Sequence, residues 1–87
     1  MIEPTARQIE VLAFIHEFLT RNIVAPTYAE IAERFTIGLT AAVNHVQALE
    51  KKQLVSRVKG KVRRMTITTD GLHIISRSTK ITKGTLK

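Results

Sequence analysis

An α+β fold of three helices followed by a β-hairpin is predicted by three features of the 87-residue chain. Up to about residue 52, apolar residues recur every three or four positions, the period of helices with one buried face. Two of these segments open with a threonine followed three residues later by Gln or Glu, the sequence form of a capping box. Beyond about residue 53 the pattern changes to rough alternation of β-branched residues on both sides of a basic loop, as in a hairpin.

The first box is TARQ at residues 5–8. Val11, Leu12, Ile15, Phe18 and Leu19 then make a wide apolar stripe, with Glu10, Glu17 and Arg21 opposite. The β-branched pair Ile23 and Val24, followed by Pro26, ends this helix at about residue 22. TYAE at residues 27–30 repeats the box, and Ile31, Ala32 and Phe35 give a second, short helix over about 28–35. A tight turn, TIGL at residues 36–39, leads into a third helix that continues to about Lys52. In this turn Ile37 is expected to fill the space between two helices, and Gly38 to permit the sharp bend.

LVSRV at 54–58 and MTIT at 65–68 are the two strands, joined by the basic tip KGKVRR at 59–64. TDGLHII at 69–75 can start a short fourth helix, capped by Thr69 and burying Leu72 and Ile75. Residues 1–76 are therefore expected to form one domain and residues 77–87 a basic, flexible tail. Helix, helix, tight turn, helix and basic hairpin is the winged helix-turn-helix order.

Composition narrows the function classes. Hydrophobic residues make up 44% and charged residues 24%, a globular balance rather than a disordered one. Without cysteine there is no disulfide and no thiolate-based zinc or iron–sulfur site. No apolar run approaches the roughly 20 residues of a membrane span, and the N-terminus lacks the order of a secretory signal, so a cytoplasmic location is expected. His16, His45 and His73 have no metal-ligand spacing, Ser56, Ser76 and Ser78 have no nucleophile context, and KGK lacks the flanking residues of a phosphate loop. No enzyme activity, cofactor or metal is expected.

The net charge of +7 is unevenly distributed. Residues 1–50 hold three arginines against six glutamates, whereas residues 51–87 hold eleven basic groups against Asp70. Such an asymmetry suits a polyanion bound by the C-terminal half. A basic surface that serves solubility is the simpler alternative.

The third helix has two distinct faces. Ala42, Val46 and Leu49 lie within about 60° of one another at roughly 100° per residue, and Thr40, Asn44, Gln47 and Lys51 fall about opposite. Asn and Gln match the donor and acceptor that adenine shows in the major groove, and Val43 beside them can meet a thymine methyl. Leu39 and Ala41, near the helix start, can also approach bases. The base-reading candidates are thus Leu39, Thr40, Ala41, Val43, Asn44 and Gln47; a plain solvated face is the alternative.

Backbone candidates are Arg57, Lys59, Lys61, Arg63 and Arg64 of the hairpin, whose long cations can follow phosphates or enter the minor groove. Protection of a strand edge would explain fewer cations than these. Lys51 ends the third helix, where a cation also suits the dipole. Arg7, Thr27 and Tyr28 sit at helix starts, where side chain or backbone N–H can meet phosphate; capping is the competing role for Thr27, and partial burial for Tyr28.

TARQIEVLAFI, APTYAEIAERF and AAVNHVQALEKKQLV, taken together, resemble the DNA-binding domain of LexA-type repressors over about residues 5–69. The family shares a Thr-Ala-Arg-Gln opening, a Pro-Thr-x-x-Glu-Ile-Ala entry to its second helix, and Ala-Ala early in its third. The resemblance implies sequence-specific binding of double-stranded DNA by a transcriptional repressor or regulator. Here the turn at Gly38 is one residue shorter, and Val43 and Asn44 stand where the family usually has acidic residues, so its base contacts do not carry over. The chain ends before the family's C-terminal peptidase domain, so self-cleavage is not expected. Two other readings stand beside this one: a winged-helix accessory of replication or recombination, and a protein-interaction module. A homodimer through Leu72, Ile74 and Ile75 competes with packing of those residues on the domain's own core.

Overall fold

The computed structural model describes residues 4–57 and the backbone of residues 65–86, with side chains through residue 77. The element order is α1 (Ala6–Asn22), α2 (Tyr28–Phe35), α3 (Leu39–Lys51), β1 (Val55–Arg57), β2 (Met65–Ile67) and α4 (Thr69–Leu86). Both capping boxes form. Thr5 Oγ1 accepts from the Gln8 N–H at 3.1 Å, and Gln8 Oε1 accepts from the Thr5 N–H at 3.1 Å. Thr27 and Glu30 make the same exchange at 3.1 and 2.8 Å. Two otherwise orphaned N–H groups are satisfied at each helix start, which is why α1 and α2 begin where the sequence indicates.

Val11, Leu12 and Ile15 of α1, Ile31 of α2, and Ala42, Val46 and Leu49 of α3 are wholly buried and form the centre of the core. Phe14 and Leu19 pack at its margin, as does Ile37 from the turn between α2 and α3. Phe18 lies edge-on to Phe14, with ring centroids 5.8 Å apart. The strands pair antiparallel, with Val55 opposite Ile67, Ser56 opposite Thr66 and Arg57 opposite Met65. Alternation then puts Val55 and Met65 on the buried side and Ser56 and Thr66 in solvent.

The helix ends differ from the sequence reading. Gly38 has φ −71° and ψ 160°, an extended conformation open to any residue, and a Cβ built there meets nothing within 4 Å. The left-handed residue of this turn is Thr36, at φ 55°. It closes a Schellman motif in which the Thr36 N–H bonds the Glu33 carbonyl and the Ile37 N–H bonds the Ala32 carbonyl. Gln53, at φ 63°, closes the same motif after α3, with Gln53 N–H to Glu50 O and Leu54 N–H to Leu49 O. Gly38 therefore serves as an N-cap, not as the bend.

Helix α4 is also longer and differently oriented than expected. It runs to Leu86, past the boundary placed at residue 76. Its cap is Thr68 rather than Thr69: Thr68 Oγ1 accepts from the Gly71 N–H at 3.0 Å and donates to the Gln53 carbonyl at 2.7 Å. Gly71 faces the hairpin so closely that a Cβ there would stand 2.2 Å from the Leu54 carbonyl oxygen. This contact sets the rotation of the helix. Ile74 and Ile75 turn into the core, and Leu72 is left 44% exposed instead of buried.

Candidate nucleic-acid interface

Helix α3 is held by its buried face against α1 and α2, so its opposite face points outward. Thr40, Asn44, Gln47 and Lys51 are all exposed along it. Leu39, at the first helical position, is 56% exposed, while Ala41 and Val43 are half-buried on the two flanks. All six base-reading candidates therefore belong to one helix, and four of them are exposed. His45 is half-buried on the side toward the core, as its position on the wheel requires.

Two long-range contacts fix the C-terminal end of this helix. Lys52 Nζ donates to Gln8 Oε1 at 2.6 Å, tying the end of α3 to the start of α1. On the other side Glu50 Oε1 lies 3.3 Å from Arg57 Nε of β1. The Arg57 guanidinium also donates to the Tyr28 hydroxyl and stands 5.8 Å from the centre of that ring. Arg57 Nε is buried without an aligned acceptor, so the Glu50 contact is an ion pair rather than a hydrogen bond. Arg57, Tyr28 and Glu50 thus join β1, the start of α2 and the end of α3.

Sequence reasoning placed Arg57 and Tyr28 among the backbone contacts but missed both this cluster and the Lys52–Gln8 link. No local spacing signals either, because the partners stand 29 and 44 positions apart. Arg7 is also engaged within the chain, 3.3 Å from Glu10 and 5.4 Å from the centre of the Phe35 ring. Thr27 is occupied in its capping box, and Tyr28 is half-buried. Lys59, Lys61, Arg63 and Arg64 lie outside the described residues. Among the described residues no cluster of His, Asp or Glu is arranged to hold a metal ion. No helix among them is long and apolar enough to cross a membrane.

A helix-turn-helix made by α2 and α3 and followed by an antiparallel hairpin is the arrangement of the winged helix-turn-helix class of DNA-binding domains. Structures of Staphylococcus aureus MepR share this fold. MepR bound to ethidium bromide superposes with a TM-score of 0.77 at 20% identity, over 98% of this chain and 61% of that one. The MepR–DNA complex gives 0.73 at 21% identity, over 93% and 58%. The family described as LexA DNA binding domain matches residues 1–64, and this chain belongs to it. The LexA repressor of Thermotoga neapolitana is 46% identical over 68 residues, covering 78% of this chain and 34% of the relative. That of Thermotoga maritima is 45% identical over 67 residues, covering 77% and 34%. The chain thus spans about a third of the length of these curated relatives.

Proposed function

We propose that this chain binds operator DNA sequence-specifically as a cytoplasmic transcriptional repressor or regulator. Helix α3 lies in the major groove, with Thr40, Asn44 and Gln47 at the base edges and Leu39, Ala41 and Val43 beside them. Lys51 and the wing residues Lys59, Lys61, Arg63 and Arg64 hold the sugar–phosphate backbone or the minor groove. Arg57 and Tyr28 serve this interface mainly by holding the base of the wing against α3. Arg7 and Thr27 approach phosphate from the starts of α1 and α2. The observation that carries this reading is the separation of α3 into a wholly buried apolar face and an exposed, uncharged, hydrogen-bonding one. The similarity to LexA repressors supports repression, and the MepR–DNA complex supports the docking mode by analogy of fold.

Ile74 and Ile75 are occupied in the domain core, so a homodimer on a palindromic site would use Leu72 from α4. Selection of bound duplexes from a random pool tests the function. One enriched motif is expected, and its symmetry together with sedimentation of the complex reports one copy or two. A pool that stays random while the protein still binds DNA would contradict operator reading. No DNA binding at all, with capture of an acidic protein partner, would make the chain an interaction module instead.

A further inference from the structure

The outward side of α3 carries a second row beside the amides. Leu39 and Val43 are four residues apart and so lie on one flank of the helix, next to Thr40, Asn44 and Gln47. Leu39 is one of four large hydrophobic residues left exposed among the described residues, and the one that belongs to α3. It stands in the first turn, the part of a recognition helix that approaches the base edges most closely.

What this surface lacks is equally specific. Guanine is read by Arg or Lys at its two major-groove acceptors, and cytosine by a carboxylate at its amino group. From residue 39 to residue 47 α3 has no Arg, Lys, Asp or Glu. His45 is turned toward the core flank, and Lys51 stands one turn beyond Gln47, toward the far end of the helix. Asn and Gln pair with the adenine edge, and apolar side chains meet the methyl group that thymine alone presents in the groove.

We infer that the base pairs facing α3 are A·T pairs, with thymine methyls seated on Leu39 and Val43 and adenine edges on Asn44 and Gln47. This inference rests on the reading that α3 enters the major groove, and it adds which bases are recognised and by what chemistry.

Thymine-to-uracil replacement tests it, because deoxyuridine removes the methyl and leaves pairing and hydrogen-bonding edges in place. The full chain is titrated by fluorescence anisotropy, at one salt concentration, onto the duplex selected from the random pool and onto the same duplex with uracil at single positions. Two positions should each weaken binding about fourfold, the effect of exposing one methyl-sized apolar group. Uracil in a scrambled duplex should change nothing. In Leu39→Ala one of these penalties should disappear, and in Val43→Ala the other, which separates contact from an effect on DNA shape. Melting curves check that both variants stay folded; Leu39 is exposed, so its truncation leaves the core intact.

A selected site made of G·C pairs opposite α3 would overturn the inference while leaving operator reading in place. So would uracil penalties that are absent, or that persist unchanged in both variants. Failure to select any motif would instead remove the operator-reading function itself, and the inference with it.

Discussion

Among the described residues, three without a glycine's freedom hold positive φ: Ile23, Thr36 and Gln53. Each stands at the end of one of the first three helices, where glycine is the usual choice. Ile23 is the most strained of them, because a β-branched side chain at φ 72° crowds its own backbone. Its side chain is 90% exposed and recovers no packing. Ile23→Gly should therefore stabilise the domain by about 0.5–1 kcal/mol, the strain relieved exceeding the entropy that glycine adds to the unfolded chain. Urea denaturation measures this; a lower midpoint would mean that Ile23 packs on something in solution. These positions were not legible in the sequence, since the usual marker of such a cap is glycine, and the one glycine in the region, Gly38, is in an extended conformation. The capping threonines Thr5 and Thr27 were legible, because a capping box is a pattern within four residues.

Among elements, α3 follows its sequence pattern closely and α4 does not. The face of Ala42, Val46 and Leu49 is wholly buried, as a 3.6-residue period requires. Leu49→Ala should cost roughly 2–5 kcal/mol by opening a cavity at the centre of the core. Helix α4 offers Leu72, Ile74 and Ile75 at spacings that admit more than one buried side. The choice is made by Gly71, pressed against the Leu54 carbonyl and Ile67, a contact between segments that periodicity does not encode. Gly71→Ala should force α4 away from the hairpin and destabilise the domain by about 1–3 kcal/mol, the usual cost of overpacking. In an isolated exposed helix the same substitution stabilises, so the sign of the change in a urea melt checks the contact directly. An unchanged or raised midpoint would place α4 further from the hairpin than the fold has it.

For the whole molecule, the uneven charge distribution separates into distinct tasks. Part of the basic half is used internally: Arg57 pairs with Glu50, and Lys52 reaches Gln8. The sequence shows the asymmetry but not this division, which depends on side chains far apart in the chain. The wing cations Lys59, Lys61, Arg63 and Arg64 should supply sequence-independent affinity. Replacing all four with Ala should flatten the dependence of log affinity on log salt by about 0.9 for each that touches phosphate. Equal slopes for the variant and the parent chain would leave the wing without a role on DNA. Whether the outward face of α3 reads sequence is decided by one pair of titrations. Asn44→Ala and Gln47→Ala remove exposed side chains, so the fold should be untouched. Each is titrated onto the selected duplex and onto a scrambled one at the same salt concentration. Each should lose roughly 1–3 kcal/mol on the selected duplex, the scale of a bidentate contact to a base, and almost nothing on the scrambled one. Equal losses on both duplexes, or no loss on either, would mean that α3 does not read the bases.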